Sequence, residues 1–529
     1  MGELKAIVQS DFSKGENTVT SPYLLRPEQV QQAVNVMLDE HGSLRVRDGT
    51  LIQTAPSPAP SQPICKLYDY VQVSGTVTKV AILNGPSNNT LYNRSSTPWA
   101  SLGAFTKNYT LPDALTFTDL AVFSPGNQET LRFLNSANSF GSLVGAPNGC
   151  HIANHLSYLW VWNTSNISTV NASPSSLQSS DLNNANSWPS SNQTFISNND
   201  GQSGQGLALY TIAESGISPT ATIIAWKDFQ GYECTGVLGA AGFAVQKIKS
   251  DMGCVAPRTI QFISGFGVIR LSHRGFALYD GVNDTLLSEE ERPRIFGRDN
   301  YTGLDWNNIQ YSYASQCPNP PLYVCACPVS GTTLTRWFIY DLVRRAWTVC
   351  QFANAVQTLY LPLDPNTLPI MVGGDATGGY VRRYFAGDAD DDGTAIGWQI
   401  LSRPAFTSPS DRAYFRRLLV KFFAIAANAQ VSASFYAGPA SSLSAKTQTV
   451  QVTTASTTTL GWDLDPWDTI GWGSTTGASS VTDIDLNFDI GLLANNMTVL
   501  LAGSGPARLR GLDWHVRQKP LTRSVYALQ

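Results

Sequence analysis

The stretch Lys247–Asp280, KIKSDMGCVAPRTIQFISGFGVIRLSHRGFALYD, decides how the rest of the chain is read. A short extended segment, 258–263, is closed by Ser264-Gly265. A strand over 267–271 follows. His273-Arg274-Gly275 then makes a tight turn, because glycine accepts the positive φ that such a turn needs. The return strand, 276–279, alternates: Phe276 and Leu278 point one way, Ala277 and Tyr279 the other. Asp280-Gly281 stops it. The unit is a hairpin that ends on aromatic-Asp.

Weaker copies of that ending recur: Leu91-Tyr92-Asn93, Phe133-Leu134-Asn135, Val161-Trp162-Asn163 and Ile339-Tyr340-Asp341. Their spacing is uneven, which excludes a regular solenoid but suits sheet-like blades with insertions. A further strand pair is expected at 221–226 and 243–248. Of the 529 residues, 43 are Gly, 29 are Pro and 10% are aromatic. Only 14% are charged, well under the usual ~25%. This is a composition of many short strands and turns. The expected fold is all-β: a β-propeller of five to seven blades over 61–400, a C-terminal β-sandwich over 401–529, and a short N-terminal arm over 1–60.

Within the arm, Pro27 suits the first turn of a short helix carrying Val30, Ala33 and Val34. A hairpin follows, turning at Glu40-His41-Gly42 and returning through Leu44-Arg45-Val46-Arg47. Pro56 to Pro63 reads as a semi-extended linker. Residues 163–206 are an Asn/Ser/Thr-rich insertion whose composition cannot build a core alone. Either a long mobile loop or a segment ordered by a neighbouring subunit is expected there, projecting toward the channel or the distal tip as a constriction, with Leu177, Leu182, Trp188, Phe195 and Ile196 as its only anchors. Six strands are expected after residue 402, interrupted by a Gly/Asp-rich turn region holding Trp462, Trp467 and Trp472.

Candidate sites have weak signatures. Asp388-Ala389-Asp390-Asp391-Asp392-Gly393 opens like a calcium loop, but Gln399 stands where the bidentate Glu is needed, so a solvated acidic turn is expected. His151 and His155 are four apart on what reads as a strand, without the Glu of a zinc hydrolase. The doublets Arg344-Arg345, Arg382-Arg383 and Arg416-Arg417 are expected on strands, in surface or subunit-interface ion pairs. The sequons at Asn163, Asn166, Asn171 and Asn192 suit chance in so Asn-rich a segment. Eight cysteines without a Cys-x-x-Cys read as buried thiols, not as a zinc or disulfide framework. Cys325 and Cys327 share a face but are poorly placed to bond to each other. MGELKAIVQSDF has no apolar core of a leader peptide, and no apolar run approaches a membrane helix. No catalytic residue, cofactor or metal is expected, and the formal charge of −4 argues against an electrostatic grip on nucleic acid.

Several segments carry a resemblance to a family. They are Ile224-Ala225-Trp226-Lys227 with Tyr232, Gly253-Cys254-Val255-Ala256-Pro257-Arg258, the 271–281 hairpin, Ser21-Pro22-Tyr23-Leu24-Leu25, the 35–49 hairpin, and Arg336-Trp337-Phe338-Ile339-Tyr340-Asp341 with Arg345-Ala346-Trp347. Together they resemble the nozzle, or tail-stabilisation, proteins of short-tailed bacteriophages. The motifs are structural, not catalytic, and touch all but the C-terminal quarter. The resemblance implies a virion protein assembled in the host bacterial cytoplasm. It also implies a homo-oligomeric ring, expected to be a hexamer, below the portal and adaptor rings. Such a ring conducts and retains double-stranded DNA without sequence-specific binding, and docks tail fibres or spikes. A carbohydrate-binding or glycoside-cleaving propeller at a virion or cell surface is the alternative, motivated by the 13 tryptophans.

Overall fold

The computed structural model describes all residues except 1–3, 40, 54–60, 107–111, 166–172, 213–219, 300, 334, 363–369, 386–389, 407–411, 427–428, 439–443, 453–479 and 519–529. The fold is all-β and comprises two compact units, one of residues 50–339 with 352–386, the other of 1–49, 340–351 and 387–529.

The hairpin quoted above shows how the first unit is built. Gly267–Ser272 pairs antiparallel with Gly275–Tyr279, and the two-residue turn falls at His273-Arg274. Gly275 has φ +121°, and a Cβ there would sit 2.4 Å from the Ser288 hydroxyl oxygen, so no other residue fits. The alternation is as expected, but both faces are covered. Phe276 packs one way on Tyr323 and Phe338, with ring centroids 6.0 and 5.3 Å away. Tyr279 packs the other way on Tyr210 and Trp226, each 6.1 Å away. A sheet buried on both faces by neighbouring sheets is a propeller blade.

Among the described residues seven such antiparallel meanders follow one another. Blade 1 is Ile64–Val71, Val77–Asn84, Asn88–Asn93 and Ala100–Thr106; blade 2 is Asp113–Phe117, Leu120–Ser124, Arg132–Asn135 and Phe140–Ser142. Blade 3 is Asn148–His155, Tyr158–Ser165, Ser173–Ser179 and Gln193–Phe195, with Gly126–Thr130 added beside its first strand. Blade 4 is Gly204–Ile212, Thr220–Lys227, Gly231–Thr235 and Ala244–Lys247; blade 5 is Gln261–Ile263, Gly267–Ser272, Gly275–Tyr279 and Asp284–Leu286. Blade 6 begins Tyr313–Pro318, Pro321–Pro328 and Thr335–Asp341. Blade 7 takes Val356–Tyr360, Met371–Asp375 and Val381–Tyr384, and then Thr50–Ile52 from the other end of the chain.

The first strands of the seven blades touch in a closed cycle, the seventh returning to the first. Ile64, Leu67 and Leu83 of blade 1 share a core with Val372 and Val381 of blade 7. The ring is therefore closed in two ways, by packing and by the strand 50–52, and its blades leave few edges for aggregation. The recurrent aromatic-Asp/Asn ending marks the third strand of blades 1, 2, 5 and 6.

The second unit is a β-sandwich. One sheet runs Val36–Leu38, Leu44–Val46, Ala507–Gln518, Ala413–Ala426, Ser480–Ala494, with Leu4–Gln9 also on Ala507–Gln518. The facing strands run Ala346–Gln351, Gln32–Val34, Gly397–Leu401, Thr498–Ser504, Gln430–Tyr436, Lys446–Gln451. Strand 413–426 keeps Phe415, Leu418, Val420, Phe422 and Ile425 in the core although their spacing is not strictly two. Register shifts near Arg416 and near Phe422 absorb the extra residues. Lys421, which interrupts the apolar run, faces outward and pairs with Asp513.

Three expectations need correction. Residues 1–60 are not an arm. Residues 1–49 belong to the sandwich unit and 50–52 close the propeller, so the boundaries at 60 and 400 are not those of the fold. No helix forms at Pro27. Ala33 and Val34 instead lie in a strand opposite Ile400 and Gln399, where a ready sheet edge outcompetes a short, uncapped helix. The insertion 163–206 is not a projecting loop over its described part. Ser173–Ser179 and Gln193–Phe195 are the outer strands of blade 3, with Leu177 and Ile196 buried, whereas Leu182 is exposed. The low-complexity segment does not build a core; it borrows one by pairing with Tyr158–Ser165. A buried lysine pins it: Lys227 Nζ donates to Ser175 Oγ, Ser197 O and Asp200 Oδ1, each at 2.9 Å. The Trp462, Trp467 and Trp472 region lies outside the described residues.

Candidate functional site: the axial cavity of the propeller

A partly open cavity of about 430 Å³ is lined by residues of blades 1 to 6. These blades contribute through their inner strands and the turns that lead into them. Lys66 comes from blade 1, where a register shift between Ile64 and Lys66 breaks the alternation. Asp113 comes from blade 2 and His151 from blade 3. Blade 4 supplies backbone at Gly204 and Gly206. A Cβ on Gly206 would lie 2.4 Å from Ile260 Cδ1, and one on Gly204 would lie 2.2 Å from Trp162 Nε1, so bare backbone is needed to keep both neighbours in place. Blade 6 supplies Tyr313.

Arg258 is aimed by the turn that precedes blade 5. Pro257 starts a 3₁₀ turn over Pro257–Thr259. Thr259 Oγ1 donates to Ala256 O at 2.6 Å and accepts from the Leu271 amide at 2.9 Å, which clamps the turn to the hairpin. The guanidinium reaches toward blades 1 and 2 and donates to Cys65 O at 3.1 Å and to Pro112 O at 2.8 Å. It also lies 5.3 Å from the centre of the Tyr313 ring. Lys66 Nζ lies 5.8 Å from the same ring and donates to Asp113 Oδ1 at 3.1 Å.

The charges in this small space shift one another. Burial works against the Lys66 ammonium, but Tyr313 and Asp113 outweigh it and hold its pKa above the usual lysine value. Burial likewise opposes the Asp113 carboxylate, yet Lys66, His151 and the Ala114 amide hold its pKa below the usual range. The Tyr313 phenol is pulled down by Lys66 and Arg258 in spite of burial. His151 is lowered to about 4, mainly by burial; Arg258 pushes it further down and Asp113 pulls it back. At neutral pH the cavity thus holds two cations, one carboxylate and a neutral imidazole.

The His151 value gives a pH dependence with a definite sign. Between pH 6.5 and 4 the unfolded chain takes up a proton that the folded chain refuses. Stability contributed here is intact above pH 6.5 and falls as the pH drops toward 4, by at most roughly 3 kcal/mol. His151→Gln is expected to flatten the fall in melting temperature between pH 7 and 4.5. Parallel curves for the two proteins would show that His151 takes its proton as freely in the fold as out of it.

The residues singled out in the sequence go elsewhere. His155 shares a strand with His151 but packs on Trp160, ring centroids 5.9 Å apart, so the two histidines form no common site. Asp391 is committed to Arg47, 2.5 Å away in the sandwich unit, and Asp390 accepts the Gly393 amide across a turn; Asp388 lies outside the described residues. No cluster of three His, Cys, Asp or Glu is placed to hold a metal among the described residues. Arg344 and Arg345 lie in a turn rather than on a strand, Arg344 pairing with Asp341 at 2.8 Å. Arg382 is buried against Asp375, also at 2.8 Å, and Arg416 stands exposed at a bulge. Asn192 is buried and Asn163 donates to Gly204 O, which leaves neither open as a glycan acceptor; Asn166 and Asn171 lie outside the described residues. All eight cysteines are buried free thiols, and Cys325 and Cys327 stand with sulfurs 3.6 Å apart. Burial pushes Cys254 up to about 12, which makes its thiolate inaccessible at neutral pH.

Sequence reasoning missed Lys66, Asp113 and Tyr313 altogether. None belongs to a local motif. Their common signal is a polar residue at the start of an inner strand, visible only once the blades are counted. Arg258 lay within a quoted motif but without a role.

No protein-family model matches the chain, and no curated protein does. Solved structures overlap it loosely. Two crystal structures of BBS1N in complex with ARL6DN align with TM-scores of 0.39 and 0.41 at 9% and 10% identity, covering 65% of this chain and 99% of that one. The N-terminal domain of Nup159 aligns with a TM-score of 0.35 at 9% identity, covering 67% and 98%. Overlap this loose carries no argument, and the propeller is read from its own closed cycle of blades.

Proposed function

We propose that the chain is a structural virion subunit, a nozzle or tail-stabilisation protein whose copies form a ring at the tail of a short-tailed bacteriophage. The observation that carries this reading is where the family-like segments meet. Trp226-Lys227, the turn 253–258 and the 271–281 hairpin are separate in sequence but form one seam between blades 4 and 5. The Cys254 amide donates to Lys227 O at 2.8 Å, the Val255 amide donates to Leu271 O at 3.0 Å, and Arg270 stacks 3.5 Å over Trp226. The shared residues are thus a scaffold, as befits a protein whose work is assembly.

The axial cavity bears on how such a ring conducts DNA. At about 430 Å³ it has the size of a small-molecule pocket, and the Lys66–Asp113 pair and Arg258 lie in it. A duplex cannot take that path. In the proposed ring it runs along the bore between copies, where a mildly acidic chain gives little phosphate grip. The glycoside-cleaving alternative needs two carboxylates flanking the bond. Among the described residues lining the cavity, Asp113 is the one carboxylate, and it is ion-paired.

Electron microscopy of the purified protein, alone and with the portal–adaptor complex of its phage, tests the proposal. Closed rings, six copies expected, with a bore wide enough for a duplex are the expected result. A protein that stays monomeric under both conditions would remove it.

A further inference from the structure

We propose that the axial cavity is a binding site for a compact hydroxylated oxyanion, a phosphate or carboxylate group with a hydroxyl beside it, held by Lys66 and Arg258 and oriented by Asp113. The inference does not depend on the tail assignment. The cavity lies in the size range of small-molecule sites and is built from polar groups on rigid strands.

Its charge is unbalanced. Two cations, 5.3 and 5.8 Å from the centre of one phenol ring, face a single carboxylate. The missing negative charge is what a ligand would bring. The lowered Tyr313 pKa reports the same excess of positive potential. Donors remain for it. Lys66 gives one of its three N–H groups to Asp113 and one to the Tyr313 hydroxyl, which leaves one, and Arg258 gives two of its five to the Cys65 and Pro112 carbonyls. Hydrogen bonds from these charged donors to an oxyanion are the strong kind.

Asp113 narrows the class. It lines the cavity, and the hydrogen bonds from Lys66 and from the Ala114 amide both fall on Oδ1, so Oδ2 is the acceptor we assign to the ligand. A carboxylate there repels a highly charged anion but accepts from a hydroxyl. A monoanion or dianion with an adjacent hydroxyl fits; a bare polyanion does not. Gln310 is exposed on the lining and belongs to the short turn before Tyr313, so a bulky residue there would obstruct the space without disturbing a core.

The sources of such a group, free phosphate, a sugar phosphate or a sugar acid, are separated by calorimetry on the full chain at pH 7 and constant ionic strength, with inorganic phosphate, glucose 6-phosphate and gluconate as probes. One site per chain is expected, with at least one hydroxylated probe at least tenfold tighter than phosphate. Lys66→Met should weaken binding tenfold or more. Gln310→Trp should abolish it while leaving the melting curve unchanged, which covers the case in which Lys66→Met fails to fold. Asp113→Asn should keep phosphate binding and lose the preference for the hydroxylated probe. Equal affinity for phosphate and both other probes would overturn the role of Asp113. No heat with any probe at millimolar concentration, or unchanged binding in the Gln310→Trp protein, would overturn the site.

Discussion

Arg270→Ala is expected to cost the propeller about 3–5 kcal/mol, the range for removing one partner of a buried ion pair. Arg270 and Asp284 are both fully buried, 2.5 Å apart. The same guanidinium donates to Gly253 O at 2.9 Å and to Met252 O at 2.5 Å, and its plane lies 3.5 Å over the Trp226 ring. It ties blade 5 to the turn that aims Arg258 and to the second strand of blade 4. Its loss leaves Asp284 charged in a place without water and two carbonyls without donors. Against a typical total of 5–15 kcal/mol, that is a large share. The measurement is the shift of the denaturant midpoint followed by tryptophan fluorescence, since Trp226 reports on the seam. Arg270→Lys should rescue little, because an ammonium reaches neither the stack nor both carbonyls. Arg270→Met combined with Asp284→Asn should recover part of the loss, because the stranded charge is gone. A single variant within 1 kcal/mol of the parent would show that the seam is not where the propeller is held.

Removal of residues 1–52 is expected to leave no folded, monodisperse protein. As a mere arm, this segment would be dispensable. In the fold it supplies Leu4–Gln9, Gln32–Val34, Val36–Leu38 and Leu44–Val46 to the sandwich unit, and Thr50–Ile52 to blade 7. Phe12, Val30, Ala33, Val36, Leu44 and Val46 all lie in the sandwich core. At about 1.5–3 kcal/mol for each large apolar side chain, their loss alone rivals the whole stability of a domain. The deletion also bares the edges of 507–518 and 381–384, which invites aggregation. Removing only residues 1–9 should be milder, since it uncovers one edge and spares those core residues. Size-exclusion chromatography with circular dichroism on the two truncations tests this. A soluble, β-rich product from the longer deletion would mean that neither unit needs its N-terminal strands.

The local features of a β-chain are legible in these residues, and their physical basis is short-ranged. Period-two alternation marked 276–279, glycine at positive φ marked the turn at 275, and Asp280-Gly281 marked the stop; all three depend on neighbours a few bonds away. The strands read from the sequence at 414–427, 431–436 and 508–516 rest on similar short-range patterns, and the fold has Ala413–Ala426, Gln430–Tyr436 and Ala507–Gln518 there. The low-complexity run at 163–206 misled, because its composition says only that it cannot form a core, not that a neighbouring strand will lend it one.

What the tertiary structure decided is every pairing between remote strands. That Thr50–Ile52 completes blade 7, that Gln32–Val34 is a strand rather than a helix, and that Lys66, Asp113, His151, Arg258 and Tyr313 meet on one axis depend on which edges and faces are left open once the blades close. Such openings belong to the assembled sheet and leave no periodic trace in the chain. The sequence by itself determined the turns and the alternating strands beside them; the closure of the ring determined which strands touch, and so placed the cavity.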